Sequence, residues 1–198
     1  MILQREEKNC IATTSSFILK NDVVIIPTDT IYGFSGLPSA ETTLLSIKKR
    51  DKSKKLIYLI EKPEIALKYI DISFYSKFEL DFFLSHWPNP LTIIYKTKNE
   101  TIALRCPKDN WLSSLLSSVG SPIFSTSVNI SGNTSMQKIM DIKNTFQKDI
   151  PLIVDGGNMN GTSSTIIDVS KRPFRILRNG SYLINFDAIS RGYPPRIY

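Results

Sequence analysis

Along this chain of 198 residues, short apolar and β-branched runs alternate with longer stretches whose apolar residues recur at helical spacing. The pattern predicts strands over 23–26, 56–60, 91–95, 102–105, 122–125, 152–154, 165–169 and 174–177. It predicts helices over 11–20, 40–50, 63–69, 73–85, 110–118 and 135–146. In the helix from residue 40, Leu44, Leu45 and Ile47 supply an apolar face and Ser39 is a candidate N-cap. A doubly wound fold pairs strands and helices one to one, so this excess of strands points to an α/β fold with a twisted, mixed sheet and flanking helices.

Glycine and proline gather at the breaks 33–38, 88–90, 132–133, 156–161, 179–180 and 194–195, and none of these is long enough for an interdomain linker. One domain over 1–198 is expected, with its core at about 10–182 and a short tail over 183–198. A composition of 41% hydrophobic and 22% charged residues excludes a disordered chain. No apolar run approaches the ~18–20 residues of a membrane helix, and the opening MILQREEKNC carries charges where a secretory signal would be apolar. Two cysteines and one histidine cannot build a disulfide framework or a four-ligand zinc site, so a reducing, cytoplasmic setting is expected.

The net charge of +7 is unevenly placed: residues 48–55 and 171–198 together hold +10, and the remainder of the chain is at −3. Charge concentrated in this way suits a phosphate or another polyanion, although Lys48 to Arg50 also suit the negative end of a helix dipole. The usual catalytic kits are missing. His86 in SHWPNP reads as a helix end or turn, and there is no Gly-x-Ser-x-Gly elbow and no Walker or dinucleotide glycine loop. A nucleotide bound here would be held by side chains.

Five clusters could do so. Thr28, Asp29, Thr30 and Tyr32 follow the first apolar strand in PTDTIYG. Lys48, Lys49, Arg50 and Lys54 form a basic element that could clamp a triphosphate. Thr101 and Arg105 lie in TIALRCP, where an arginine alternates with apolar residues. Ser127 and Asn129 belong to the polar run STSVNISG, and Ser164 in SSTIID pairs with Arg178 in ILRNG.

The order PTDTIYG, Lys-x-Arg, WPNPLT, ALRCP, STSVNISG, DGG, SSTIID and ILRNG resembles the YrdC-like domain of threonylcarbamoyl-AMP synthases, over about residues 10–182. The chain is similar to the short, single-domain form. The resemblance implies a twisted mixed sheet curled around a deep basic cavity. The implied reaction joins L-threonine, bicarbonate and ATP into threonylcarbamoyl-AMP and releases pyrophosphate, as the first step of modifying the tRNA adenosine beside the anticodon. Downstream threonylcarbamoyl-transfer proteins are the implied partners, with at most a weak contact to tRNA itself and none to a membrane.

The resemblance also implies roles. Lys48, Arg50, Ser127 and Asn129 would be catalytic, and Arg50, Lys54, Thr101, Asn129 and Arg178 would bind ATP. Thr28, Thr30, Tyr32, Arg105, Ser127 and Ser164 would bind threonine. A Mg2+ ion bridging the phosphates is expected from the chemistry, with no carboxylate cluster that identifies a protein ligand for it. The chain departs from the family pattern at Asp51, Lys55 and Asn89, and Leu59 stands where the longer form has a histidine that touches threonine. Two other readings are a same-fold paralogue with an altered or lost reaction that binds nucleotide or RNA through the cavity, and an RNA-binding module built on the two basic stretches.

Overall fold

The computed structural model describes residues 1–49, 56–130 and 132–185. In chain order the elements are β1 (Ile2–Gln4), α1 (Cys10–Leu19), β2 (Val24–Ile26), β3 (Gly33–Gly36), α2 (Glu41–Lys48) and β4 (Ile57–Leu59). They continue with α3 (Lys77–Ser85), β5 (Leu91–Lys96), β6 (Thr101–Arg105), α4 (Asn110–Val119) and β7 (Ile123–Ser127). The last are α5 (Ile139–Phe146), β8 (Ile153–Asp155), β9 (Thr165–Asp168) and β10 (Arg175–Arg178).

The ten strands among the described residues join one mixed sheet in the order β1-β8-β2-β3-β7-β4-β6-β5-β9-β10. The expected mixed α/β architecture is therefore present. Pairing is parallel at β1/β8, β2/β8, β4/β6 and β5/β9, and antiparallel elsewhere.

Helices cover both faces, which explains why β2 is apolar at every position. Val24 and Ile26 pack with Ile18 of α1 and with Leu112, Leu115 and Leu116 of α4. Ile25 faces the other way, toward Leu44 of α2 and Ile142 and Phe146 of α5. Phe146 meets Phe34 edge-on at 5.0 Å. A third cluster sets Leu80 and Phe83 of α3 against Ile93 and Tyr95 of β5, with Trp87 and Phe174.

Local signals set the boundaries. Asp109 caps α4 by accepting from Leu112 N at 2.9 Å, and Gly120 ends it at φ +72°. Lys49 ends α2 in the left-handed region at φ +50°, short of the expected residue 50. Ser39 does not cap that helix, because Pro38–Ala40 forms a 3-10 turn and the Ser39 hydroxyl donates to Asn21 Oδ1 at 2.5 Å. The helix expected over 63–69 is a 3-10 turn at Pro63–Lys68, and the one expected over 135–146 begins only at Ile139. Two strands, β1 and β3, lie outside the pattern-based expectation. Leu59 packs in the α1/α4 core, so its side chain faces that core.

The capping box of α3 doubles as an ion-pair site. Ser76 Oγ accepts from Glu79 N at 3.2 Å, and Glu79 Oε2 accepts from Ser76 N at 2.8 Å. Arg172 donates Nη2 to the same oxygen at 2.9 Å and places Nη1 2.7 Å from Oε1. Burial pushes the Glu79 carboxyl up, but the Arg172 and Ser76 hydrogen bonds outweigh it and hold the carboxyl below its ordinary 4.5. A depressed carboxyl adds stability above its unfolded value and loses it as pH falls through the folded one. Glu79→Gln should therefore lower the melting temperature at neutral pH, and the gap to the wild type should close on acidification below 4.5. A gap independent of pH would assign Glu79 a purely steric role.

Candidate active site

The C-terminal ends of β2, β6 and β7, the middle of β5 and the start of β9 converge on a cavity of about 650 Å3. That size falls within the ~300–1,000 Å3 of small-molecule sites. Among the described residues that line it, Lys48, Arg105 and Arg178 are cationic and no carboxylate appears.

The loop after β2 forms one wall. Thr28 Oγ1 donates to Ile31 O at 2.6 Å and accepts from Thr30 N and Ile31 N, each at 3.2 Å, which folds PTDT into a tight hydroxyl-stapled turn. The turn holds the two threonine hydroxyls 3.0 Å apart. Arg105 Nη1 donates to Thr30 Oγ1 at 3.1 Å, and Nη2 lies 3.0 Å from Asp29 Oδ1, an ion pair without the alignment of a hydrogen bond. Arg105 is only 5% exposed, and its Nε has no hydrogen-bond partner among the described residues. Burial pushes this guanidinium down from its ordinary value, and the Asp29 charge opposes that.

Opposite lies the β9/β10 corner. Arg178 Nε donates to Ser164 O at 2.9 Å and Nη2 to Ser164 Oγ at 3.2 Å, while Ser164 Oγ lies 2.8 Å from Thr92 Oγ1. Burial lowers the Arg178 guanidinium, and the positive charge of Arg105 lowers it further. The described lining thus sets two guanidiniums close enough to feel each other, with no carboxylate among the lining residues described.

At the far end, Lys48 reaches from the last turn of α2 over the Phe34 ring. Its Nζ donates to Asn129 Oδ1 at 2.7 Å, to Ser127 Oγ at 3.3 Å and to Ser127 O. Ser127 Oγ donates to Asn129 Oδ1 at 2.7 Å, and Asn129 Nδ2 donates to Asn133 O at 2.6 Å. In this arrangement Lys48 orders the Ser-x-Asn element.

The structure thus gathers Thr28, Thr30, Tyr32, Lys48, Arg105, Ser127, Asn129, Ser164 and Arg178 around one cavity. Arg50 and Lys54 lie outside the described residues. Thr101 starts β6, four residues before Arg105, and lines a second cavity. Tyr32 lines the wall, but its hydroxyl is engaged elsewhere, donating to Gly157 O at 2.7 Å and accepting from Gly156 N at 2.9 Å. Burial pushes this phenol up to about 12, so it serves as a neutral strut to the DGG turn. Thr92 went unnoticed in the sequence. It is a buried hydroxyl beside Leu91, Ile93 and Ile94 on β5, a signal like the one that marks Arg105 on β6.

A family model described as telomere recombination, of the Sua5/YciO/YrdC type, matches residues 16–180. A threonylcarbamoyl-AMP synthase of Pseudoalteromonas translucida is 30% identical over 178 residues, covering 82% of this chain and 94% of that one. The structure of P. abyssi Sua5 complexed with L-threonine superposes with a TM-score of 0.82 at 27% identity over 91% of this chain. This chain spans 57% of that longer protein. E. coli YciO shares the fold, with a TM-score of 0.78 at 20% identity.

Close backbone packing fixes the threonine-lined wall. A Cβ at Gly161 would fall 1.8 Å from the Thr30 carbonyl oxygen, so only glycine lets the 156–164 loop seat on the PTDT turn. Gly161→Ala should cost about 1–3 kcal/mol and lower the melting temperature by roughly 2–12 °C. An unchanged melting curve would mean that the two loops do not touch.

Proposed function

The chain belongs to the Sua5/YciO/YrdC family, and from that premise we propose that it joins L-threonine, bicarbonate and ATP into threonylcarbamoyl-AMP with release of pyrophosphate. The observation that carries this reading is Arg105, a buried guanidinium on a cavity wall whose Nη1 lies 3.1 Å from the Thr30 hydroxyl, itself 3.0 Å from that of Thr28. A guanidinium on the wall suits a carboxylate, and the hydroxyls around it suit an alcohol.

In this reading Arg105 takes the threonine carboxylate, while Thr30, Ser164 and Thr92 surround the rest of the amino acid. The neutral amine attacks the bicarbonate carbon, forming the N–C bond as water leaves. A carbamate oxygen then attacks the α-phosphorus of ATP, and pyrophosphate departs. Neither step needs a covalent enzyme intermediate, so orientation and charge neutralisation suffice. Arg178 holds phosphate oxygens, and Ser127 and Asn129, set by Lys48, hold the nucleotide. Arg50 and Lys54 join them on sequence grounds.

Magnesium belongs with the triphosphate as part of the substrate here. The described residues contain no group of three His, Cys, Asp or Glu side chains that could hold a metal ion. Among them no helix is long and apolar enough to cross a membrane. The product would pass to proteins that transfer the threonylcarbamoyl group to tRNA.

The direct test incubates the pure protein with ATP, bicarbonate and labelled threonine. Pyrophosphate release should require all three. Valine should be rejected strongly because it leaves buried hydroxyls unpaired, and serine by only about 1–3 kcal/mol. Arg178→Ala should weaken ATP binding roughly ten- to a hundredfold. Equal turnover with valine would overturn the substrate assignment, and ATP binding without turnover of any amino acid would favour the altered-paralogue reading.

A further inference from the structure

Two hydroxyls of the cavity wall are tied to each other and differ in what they can reach. Thr92 of β5 is fully buried, and its Oγ1 lies 2.8 Å from Oγ of Ser164, the residue just before β9. Ser164 keeps an exposure of 2% and lines the cavity. Arg178 donates Nη2 to the same Ser164 oxygen at 3.2 Å and Nε to the Ser164 carbonyl at 2.9 Å. The β9/β10 register shifts between Ile176 and Arg178, the kind of irregularity that re-aims a side chain. The backbone of this corner is held as well: Thr165 N donates to Pro90 O at 3.0 Å and Ser181 N to Ser163 O at 3.1 Å, which keeps Ser164 beside Thr92.

Counting hydrogens gives the corner a direction. A guanidinium only donates, so Arg178 takes up one lone pair of Ser164 Oγ. The Thr92 hydroxyl has no second hydrogen-bond partner among the described residues, and a fully buried O–H has no water to turn to, so its hydrogen is best placed on Ser164 Oγ. With both lone pairs engaged, Ser164 keeps its own O–H, the one hydrogen of the pair that can point into the cavity. We infer that Thr92 is a positioning residue that fixes Ser164 as a hydrogen-bond donor, so that this part of the wall selects a ligand group that accepts. Resting on the reaction proposed above, in which Arg105 takes the carboxylate, the accepting group is the alcohol oxygen of threonine. Without the Thr92 hydroxyl, Ser164 can rotate and present a lone pair instead, and the selection weakens.

The test is titration calorimetry of the full chain with L-threonine and with L-2-aminobutyrate, which is threonine without its hydroxyl. The isosteric Thr92→Val should reduce the wild-type preference for threonine roughly three- to tenfold, and Thr92→Ala, a second hydroxyl-free variant, should do the same. Thr92→Ser, which keeps the donor, should retain the preference. A preference unchanged in both hydroxyl-free variants would overturn the inference and leave the proposed reaction standing. So would equal losses for the two ligands, the mark of a merely structural role, or a Thr92→Ser variant as impaired as Thr92→Val. A wild type that binds no threonine would overturn the proposed reaction, and this inference with it.

Discussion

The arrangement depends on a positive charge placed where water cannot reach it. Arg105 ends a strand inside the sheet, and a guanidinium there is tolerated only with anionic and hydrogen-bonding partners. Asp29 and Thr30 supply them, which forces the loop after β2 to fold back as the hydroxyl-stapled turn. Lys108 N donates to the second Asp29 oxygen at 3.2 Å, tying the segment after β6 to the same loop. One buried charge thereby links three parts of the chain and stands on the cavity wall. The second guanidinium, Arg178, gives no relief and sharpens the demand. Its own bonds run to neutral Ser164, so of the two guanidiniums Arg105 alone is paired with a carboxylate in the contacts described.

Loops this close need backbones without side chains at the crossings. Gly33 would set a Cβ 2.4 Å from Ser125 Oγ, and Gly180 would set one 2.2 Å from Ser163 O. These glycines let β3 lie against β7 and let the segment after β10 fold onto β9. That segment is held further by Thr165, whose Oγ1 accepts from Gly180 N at 3.0 Å, and by the Tyr182 hydroxyl 2.8 Å from His86 Nδ1. His86, the lone imidazole of the chain, is thus a latch at the end of α3, consistent with the helix-end role read from SHWPNP.

Much of this was legible in the sequence because burial on both faces leaves a continuous apolar run, as in β2, and a one-sided cavity leaves a polar residue at alternate positions, as in β6. The two missed strands follow from the same physics. GFSG in β3 has two glycines because its neighbours approach too closely for side chains, and that composition reads as a turn. β1 is three residues long and lies at the sheet edge, too short for a period to register. Thr101 and Arg105 share the segment TIALRCP, and four residues of extended strand separate their positions by about 13 Å. The link from Lys48 to Ser127 and Asn129 spans 79 and 81 positions, and no local pattern encodes it.

The central claim is that the Arg105 guanidinium receives the carboxylate of the amino acid. A double-mutant cycle isolates that contact: calorimetric affinities of L-threonine and L-threoninamide for the wild type and for Arg105→Gln, with folding of the variant checked by its melting curve. The account predicts a coupling of about 1.5–3 kcal/mol between the carboxylate and the guanidinium, with the two ligands binding the variant alike. A full preference for threonine over its amide that persists without Arg105 would contradict it.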